Sequence, residues 1–440
     1  MSSKITITKF NCVFYSLLFI FSACNTTKIN TTNLGYGWSN NSVNVVKFRK
    51  NALTTYKEYQ FTAFYNEEGF VVLGKRKTNS KHWETVKTSY KGKSSDAHNT
   101  ICIAIDGDGY LHISWDHHNN KLHYAKGKEP LSLVLGEEES MTGIDEKNVT
   151  YPEFYNLPNG NLLFLYRSGS SGKGNLVLNS YHLKSKKWDQ LHQNLINGEG
   201  ERNAYWQTCI DNNGVIHLSW VWRETGDVAT NHDLCYARSK DSGVTWEKST
   251  GESYQLPITA STAEYAWKIP QNSSLINQTS MTADRNGNPY ISTYWSENGI
   301  PQFQIVYQKD GKWTRENTGF RKLAFQLGGG GTKSIPISRP DILIDDKEEA
   351  LSIYFLFNDK ERGNKVSLAY KKLDENSDWK IRDLTTTSVG QWEPNYDINL
   401  WKASQKLHIF TQEVTQIDGE GLAKKEPTMI KILELNKLPK

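Results

Sequence analysis

The chain has 440 residues, 37% hydrophobic and 12% aromatic, with 14 Trp, 22 Tyr and a formal net charge of +4. That length suits one large all-β domain, and the aromatic load favours strands and sugar-contacting clefts. The charge balance is compatible with an anionic substrate, and no basic run interleaved with aromatics points to nucleic acid.

In chain order, residues 1–23 read as a processing segment. Lys4 and Lys9 give a short positive start, and the apolar stretch VFYSLLFIF (13–21) is too short to span a bilayer. Phe21-Ser22-Ala23-Cys24 resembles a bacterial lipobox, so Cys24 is expected to carry a lipid. This would hold the protein in the cell envelope, on the outer membrane, facing the periplasm or the surface. An ordinary secretory leader with a chance cysteine is the plainer alternative. Residues 24–45, beginning NTTKINTT after Cys24, are expected as a polar tether, and residues 46–440 as one catalytic domain.

Loss of the leader and lipidation would leave Cys102, Cys209 and Cys235. Cys102 and Cys209 sit in the apolar patterns TICIAI and QTCID and read as buried small hydrophobes. One disulfide, or a weak metal site using His232 and Cys235, is the alternative. No zinc-finger spacing occurs, and neither metal nor cofactor is expected.

From residue 60 onward one unit recurs: a strand, a turn rich in Asn, Asp and Gly, an alternating strand, then a third strand. Copies fall at residues 60–83, 96–126, 151–188, 205–246, 279–313, 338–379 and 392–432. The turn glycines Gly69, Gly109, Gly160, Gly214 and Gly287 are 40, 51, 54 and 73 residues apart. Such uneven spacing is loose for a solenoid and suits blades with loops of varying length. No long amphipathic helix interrupts the pattern. The expected fold is all-β, a single-domain, seven-bladed β-propeller, with paired β-sandwiches as the alternative. The run Gly328 to Gly331 reads as a loop between blades five and six. Ser239-Lys240-Asp241-Ser242-Gly243-Val244-Thr245-Trp246 matches the S-x-D-x-G-x-T-W Asp-box, a structural hairpin that says little about chemistry.

Residues 96–126 concentrate five of the eleven histidines. His112 and His217 occupy matching mid-strand slots (LHIS, IHLS), with His408 in LHIF, and read with His123 as fold residues. Positions just before a blade's first strand, or just after its second, can instead reach the channel face. His98, with His117 and His118, holds those places in blade two. Tyr151 and Arg167 hold them in blade three, and Tyr205 and Arg223 in blade four. Of the adjacent His117 and His118, only one is expected to face the site. Asp96, Asp116, Glu153 and Glu224 form no evident pair for glycoside hydrolysis, and neither a P-loop nor G-x-S-x-G occurs.

A His/Tyr/Arg set suits β-elimination at a uronate. A base removes the weakly acidic C5 proton, a guanidinium steadies the carboxylate as it gains enolate character, and a His or Tyr protonates the leaving O4.

The segments DAHNT, DGDGYLHISWDHHNNKLHY, TYPEF, LLFLYRSGSSGKGN and NHDLCYARSKDSGVTW resemble the BNR-repeat propeller family, and within it the propeller-type ulvan lyases. The resemblance is strongest over residues 96–246. It implies that His98, His118, Tyr151 and Arg167 are catalytic. Within that set His98 and Tyr151 would share base and acid, Arg167 would neutralise the carboxylate and His118 would position the substrate or share proton transfer. Tyr205 would contact substrate, joined by His117 and Arg223 from the blade pattern. A lyase on a uronate-containing sulfated glycan is the leading expectation. A hydrolase or dehydratase acting on derived rhamnose-uronate oligosaccharides, or a non-catalytic glycan-binding lipoprotein, are the alternatives. The expected partner is an anionic polysaccharide or oligosaccharide, bound by a monomer.

Overall fold

The computed structural model describes residues 28–334, 336–347, 351–373 and 377–439. Cys24 and the expected leader lie outside these residues.

Seven antiparallel sheets follow one another around a ring, giving the seven-bladed β-propeller expected from the repeats. Blade one comprises Leu53–Tyr56, Tyr59–Tyr65, Phe70–Lys77 and Glu84–Lys91. Blade two has Ile101–Ile105, Leu111–Trp115 and Tyr124–Lys126. Blade three has Val149–Asn156, Leu162–Ser168, Asn175–His182 and Lys187–His192, and blade four opens with Asn203–Ile210 and Ile216–Arg223. Blades five and six begin at Ser280–Ala283 and Asp341–Asp345. The inner strand Ile101–Ile105 is apolar and buried over its whole length, because both faces are covered by neighbouring blades.

Blade seven closes the ring. Strands Leu407–Thr411 and Thr428–Leu435 are joined by the N-terminal strand Ile29–Gly37, which pairs antiparallel with Thr428–Leu435. The expected tether of residues 24–45 is therefore corrected from residue 29 onward. The polar composition of NTTKINTT reads as a tether, yet from Ile29 the chain pairs as an outer strand, where only one face needs to be apolar. After that strand the chain turns inward. Val43, Asn44, Val45, Val46, Lys47, Phe48 and Arg49 are all buried. Each fully buried Val or Phe contributes about 1.5–3 kcal/mol. Arg49 donates to the carbonyls of Ile101, Asn44 and Ala63, so this segment ties blades one and two together.

The first repeat copy is also corrected. FTAFY is the second strand of blade one, and Leu53–Tyr56 is the first. Gly69 thus lies at the opposite end of its blade from Gly109, which joins the first and second strands of blade two. At that latter end the blades meet backbone to backbone. Gly107 N–H donates to Gly160 O at 2.9 Å, and a Cβ on Gly107 would lie 2.7 Å from the Gly160 Cα.

The matching histidines do fill one slot. His112 Nδ1 meets Tyr124 Oη at 2.8 Å and its Nε2 meets Asp106 Oδ2 at 3.3 Å. His217 repeats this with Tyr236 Oη at 2.7 Å and Asp211 at 3.3 Å. His408 departs from it, meeting Gln60 and Arg76. In the Asp-box, Asp241 accepts from Ser239 Oγ, Thr245 N and Thr245 Oγ1, and Trp246 is buried beneath, donating Nε1–H to Gly243 O at 3.1 Å. Cys102, Cys209 and Cys235 are unpaired thiols, with Cys102 and Cys235 buried.

Candidate active site

One end of the ring opens into a cavity of about 260 Å³. Its lining includes His98, His118, Tyr151, Arg167, Tyr205 and Arg223, six of the seven catalytic and substrate-binding positions expected from sequence. The seventh, His117, is corrected: it is fully buried and turned into blade two. Its Nε2 meets Ser114 Oγ at 2.9 Å, and burial beside His123 drives its pKa down to about 3. Adjacent residues leave a strand on opposite sides, so only one of the two histidines can face the channel.

His118 reaches the site because the short strand His118–Asn120 leaves blade two and pairs with the inner strand of blade three. Thr150 is the shared register point, paired with His118 on one side and Arg167 on the other. The next residue, Tyr151, sits at a break in register with φ of 57°, followed by Pro152, which has no N–H for the ladder. A left-handed tyrosine at a bulge is costly backbone, and the usual effect of a bulge is to re-aim one side chain. Here it aims Tyr151 at the cavity.

Two walls result. On the first, His98 is sandwiched between Phe48 (centroids 5.2 Å, 17°) and His118 (4.0 Å, 19°). Asp96 ties the histidines together, with Oδ1 at 3.1 Å from His98 Nδ1 and Oδ2 at 2.7 Å from His118 Nδ1. Burial by itself lowers the pKa of His98, but hydrogen bonds to Asp96 and Glu420 outweigh it and hold the imidazole above its ordinary value. Burial pushes the Asp96 carboxyl up, yet the two histidines win and hold it well below the usual range. Asp96, His98 and His118 offer three ligand atoms within 4.8 Å. Both Nδ1 atoms lie on the one carboxylate, which ties the two stacked rings together.

The second wall repeats one unit twice. Arg167 lies 4.9 Å over the Tyr151 ring and Arg223 lies 5.4 Å over the Tyr205 ring. Arg167 Nε donates to Gly169 O and Arg223 Nε to Thr225 O, each at 3.2 Å. Neither guanidinium has a carboxylate partner among the described residues, whereas Arg339 in the same lining is paired with Glu393. Arg167 is 4% exposed and its Nη1 is buried without a hydrogen-bond partner. A buried cation with an idle N–H is expensive unless an anion completes it. The two tyrosine rings are 6.0 Å apart. Burial pushes Tyr151 up to about 12. Tyr205 feels the same burial, but Arg167 and Arg223 outweigh it and lower its pKa.

Phe48, Glu420 and Asp96 are among the contributors that were not expected as site residues. Phe48 comes from the segment read partly as tether, Glu420 from a hairpin in blade seven, and Asp96 was only one of several unpaired carboxylates. The tetraglycine run does lie between blades five and six, and its end, with Thr332 and Lys333, forms part of the rim. Of the other carboxylates, Glu153 is buried beneath the site with Tyr155 and Trp206, Glu224 is held by Arg202 and His232, and Asp116 accepts from Lys93 N. His232 therefore pairs with acids and not with Cys235.

Residues 59–320, more than half of the chain, match the model of a BNR repeat-containing family member. The chain belongs to this BNR repeat-containing family. An Alteromonas sp. protein named as the long isoform of ulvan lyase is 24% identical to this BNR-repeat chain over 267 residues, which is 47% of the chain and 27% of that relative. The chain thus spans well under two thirds of the curated relatives it matches. Among solved structures, polysaccharide lyase Uly1 superposes with a TM-score of 0.65 at 18% identity, covering 88% of this chain and 90% of the other. A PL25 ulvan lyase bound to -[GlcA(1-4)Rha3S]- also gives 0.65, at 14% identity, covering 92% and 96%. At these identities the likeness establishes a shared propeller fold.

Proposed function

We propose that this BNR-repeat propeller is a polysaccharide lyase that cleaves a uronate-containing sulfated glycan of the ulvan type by β-elimination. The observation that carries the reading is Arg167, a buried guanidinium with an idle N–H and no carboxylate partner among the described residues, stacked over a tyrosine and facing two stacked histidines. A substrate uronate supplies the missing anion. The names of the relatives support the same reading.

In the proposed step the uronate carboxylate docks on Arg167, and Arg223 receives a second anionic group of the chain. The C5 proton passes to a base, its electron pair forms the C4=C5 bond, the C4–O4 bond breaks, and O4 takes a proton. The charge distribution favours His98 as the donor, because two carboxylates keep its imidazole positive. The base then comes from the tyrosine pair, which gives up its first proton at Tyr205, in the field of both arginines. Aromatic faces and the Phe48 floor pack against the sugar ring.

The test is incubation of the purified protein with ulvan while following the ultraviolet absorbance of the unsaturated uronate. Absorbance should rise, and should vanish in Arg167→Ala and His98→Ala. Release of reducing ends without absorbance would overturn the lyase reading in favour of a hydrolase. Retention of ulvan without any product would indicate a binding protein.

Attachment through a lipid on Cys24, in the outer membrane of the cell envelope, belongs to the same proposal. It rests on the leader and lipobox-like residues 13–24. Expression with a labelled fatty acid should mark the full chain and not Cys24→Ser.

A further inference from the structure

Glu420 belongs to no sequence motif, yet it reaches the most enclosed imidazole of the site. It sits in the hairpin bridged at Ile417 and Gly421, with φ of 69°. Its Oε1 lies 3.1 Å from His98 Nδ1 and accepts from Thr332 N at 2.6 Å. Oε2 is buried without a partner, so the carboxylate is spent on those two contacts. The hairpin is itself clamped to the glycine-rich loop: Gly419 N–H donates to Thr332 O at 3.0 Å, and Asp418 accepts from Ser334 N and pairs with Lys333. Asp227 holds the other side of that loop, accepting from Gly329 N at 2.7 Å.

We propose that Glu420 is a positioning residue for His98: from blade seven it shares the Nδ1 proton with Asp96, turns Nε2 toward the cavity, and keeps the ring charged. Asp96 divides its charge between both histidines, so a second carboxylate is what allows one imidazole of the stacked pair to stay positive beside the other. None of the described residues hydrogen-bonds His98 Nε2, which leaves that nitrogen free for substrate. The other titratable or charged groups around His98 are His118 in blade two, Tyr151 in blade three, and Lys333 and the buried Arg339 in the cavity lining. Raising of the His98 pKa by the two carboxylates agrees with this geometry. The catalytic consequence rests on the lyase reading above, and the effect on His98 itself does not.

The test is a pH titration of the histidine side chains by long-range proton–nitrogen NMR in the full chain, with His98 assigned through His98→Gln. Glu420→Gln should lower the His98 midpoint by about one pH unit or more. Glu420→Asp, which draws the charge back by one methylene, should fall between, and gives the same readout should Glu420→Gln not fold. On ulvan, the alkaline limb of the kcat profile should move to lower pH with the NMR midpoint, with KM changing less than kcat. An unchanged His98 midpoint in both variants overturns the proposal even where product forms. A shifted midpoint without unsaturated product upholds it and removes the lyase reading instead.

Discussion

Arg167 stacks 4.9 Å over the ring of Tyr151, and none of the described residues brings an acid to its guanidinium. The pair comes from two strands of blade three, joined across the register point Thr150. Such an arrangement gives up stability for the capacity to receive an anion. Arg167→Met should therefore abolish formation of unsaturated product while leaving the thermal midpoint unchanged or higher. Calorimetry on the variant checks this, and a marked fall in Tm would show that the guanidinium is structurally satisfied.

Asp96 anchors two histidines at once. Asp96→Asn keeps the shape but removes the shared charge, so both rings lose their orientation and His98 loses part of its positive charge. The expected cost is about 10²-fold or more in kcat, the range seen when proton transfer is impaired. Initial rates across pH on a uronate-containing glycan measure it, and rates within a factor of a few of wild type would exclude the role.

The clasp around His98 carries a pH signature. Its pKa is raised above the ordinary 6.5, so its contribution to stability is full below 6.5 and is lost as pH rises through the folded value. Burial pushes Glu420 up, but His98 and the Thr332 N–H win and depress it below the ordinary 4.5, so its contribution is full above 4.5 and is lost as pH falls through the folded value. The Tm difference between wild type and Glu420→Gln should thus be greatest between these two ordinary values and shrink on either side. A difference independent of pH would mean that the hairpin, and not the charge, is what matters.

Gly174 lies against the cavity wall from behind. A Cβ there would be 2.5 Å from Arg167 Cγ. Gly174→Ala should shift the guanidinium and weaken substrate binding, raising KM with a smaller effect on Tm. An unaltered KM would show that Arg167 has room to yield.

His217 tests the opposite expectation. It is buried, bonded to Tyr236 and Asp211, and not part of the cavity lining. His217→Phe should cost about 1–3 kcal/mol in urea denaturation by stranding two buried partners, with the specific activity of the folded fraction retained.

Much of this was legible along the chain. Alternation in LHISW and IHLSW, turns such as DGDG and DNNG, and the Asp-box at 239–246 each encode a strand or hairpin within a few residues, and local periodicity suffices for those. Equivalent positions in successive blades likewise placed Tyr151 with Arg167 and Tyr205 with Arg223, because a repeat converts sequence spacing into spatial equivalence. His117 and His118 could not be separated in this way, since their sides depend on where the strand leaves blade two.

What the sequence by itself determined is the repeated blade, the family likeness and the His/Tyr/Arg composition of the site. Only the tertiary structure decided that the N-terminal segment closes blade seven and delivers Phe48 beneath His98, and that Glu420, 322 residues further along than His98, completes its charge environment. The physical reason is ring closure. A propeller brings its two chain ends into one neighbourhood, and contacts across that seam follow from the closed geometry, to which no local pattern of residues corresponds.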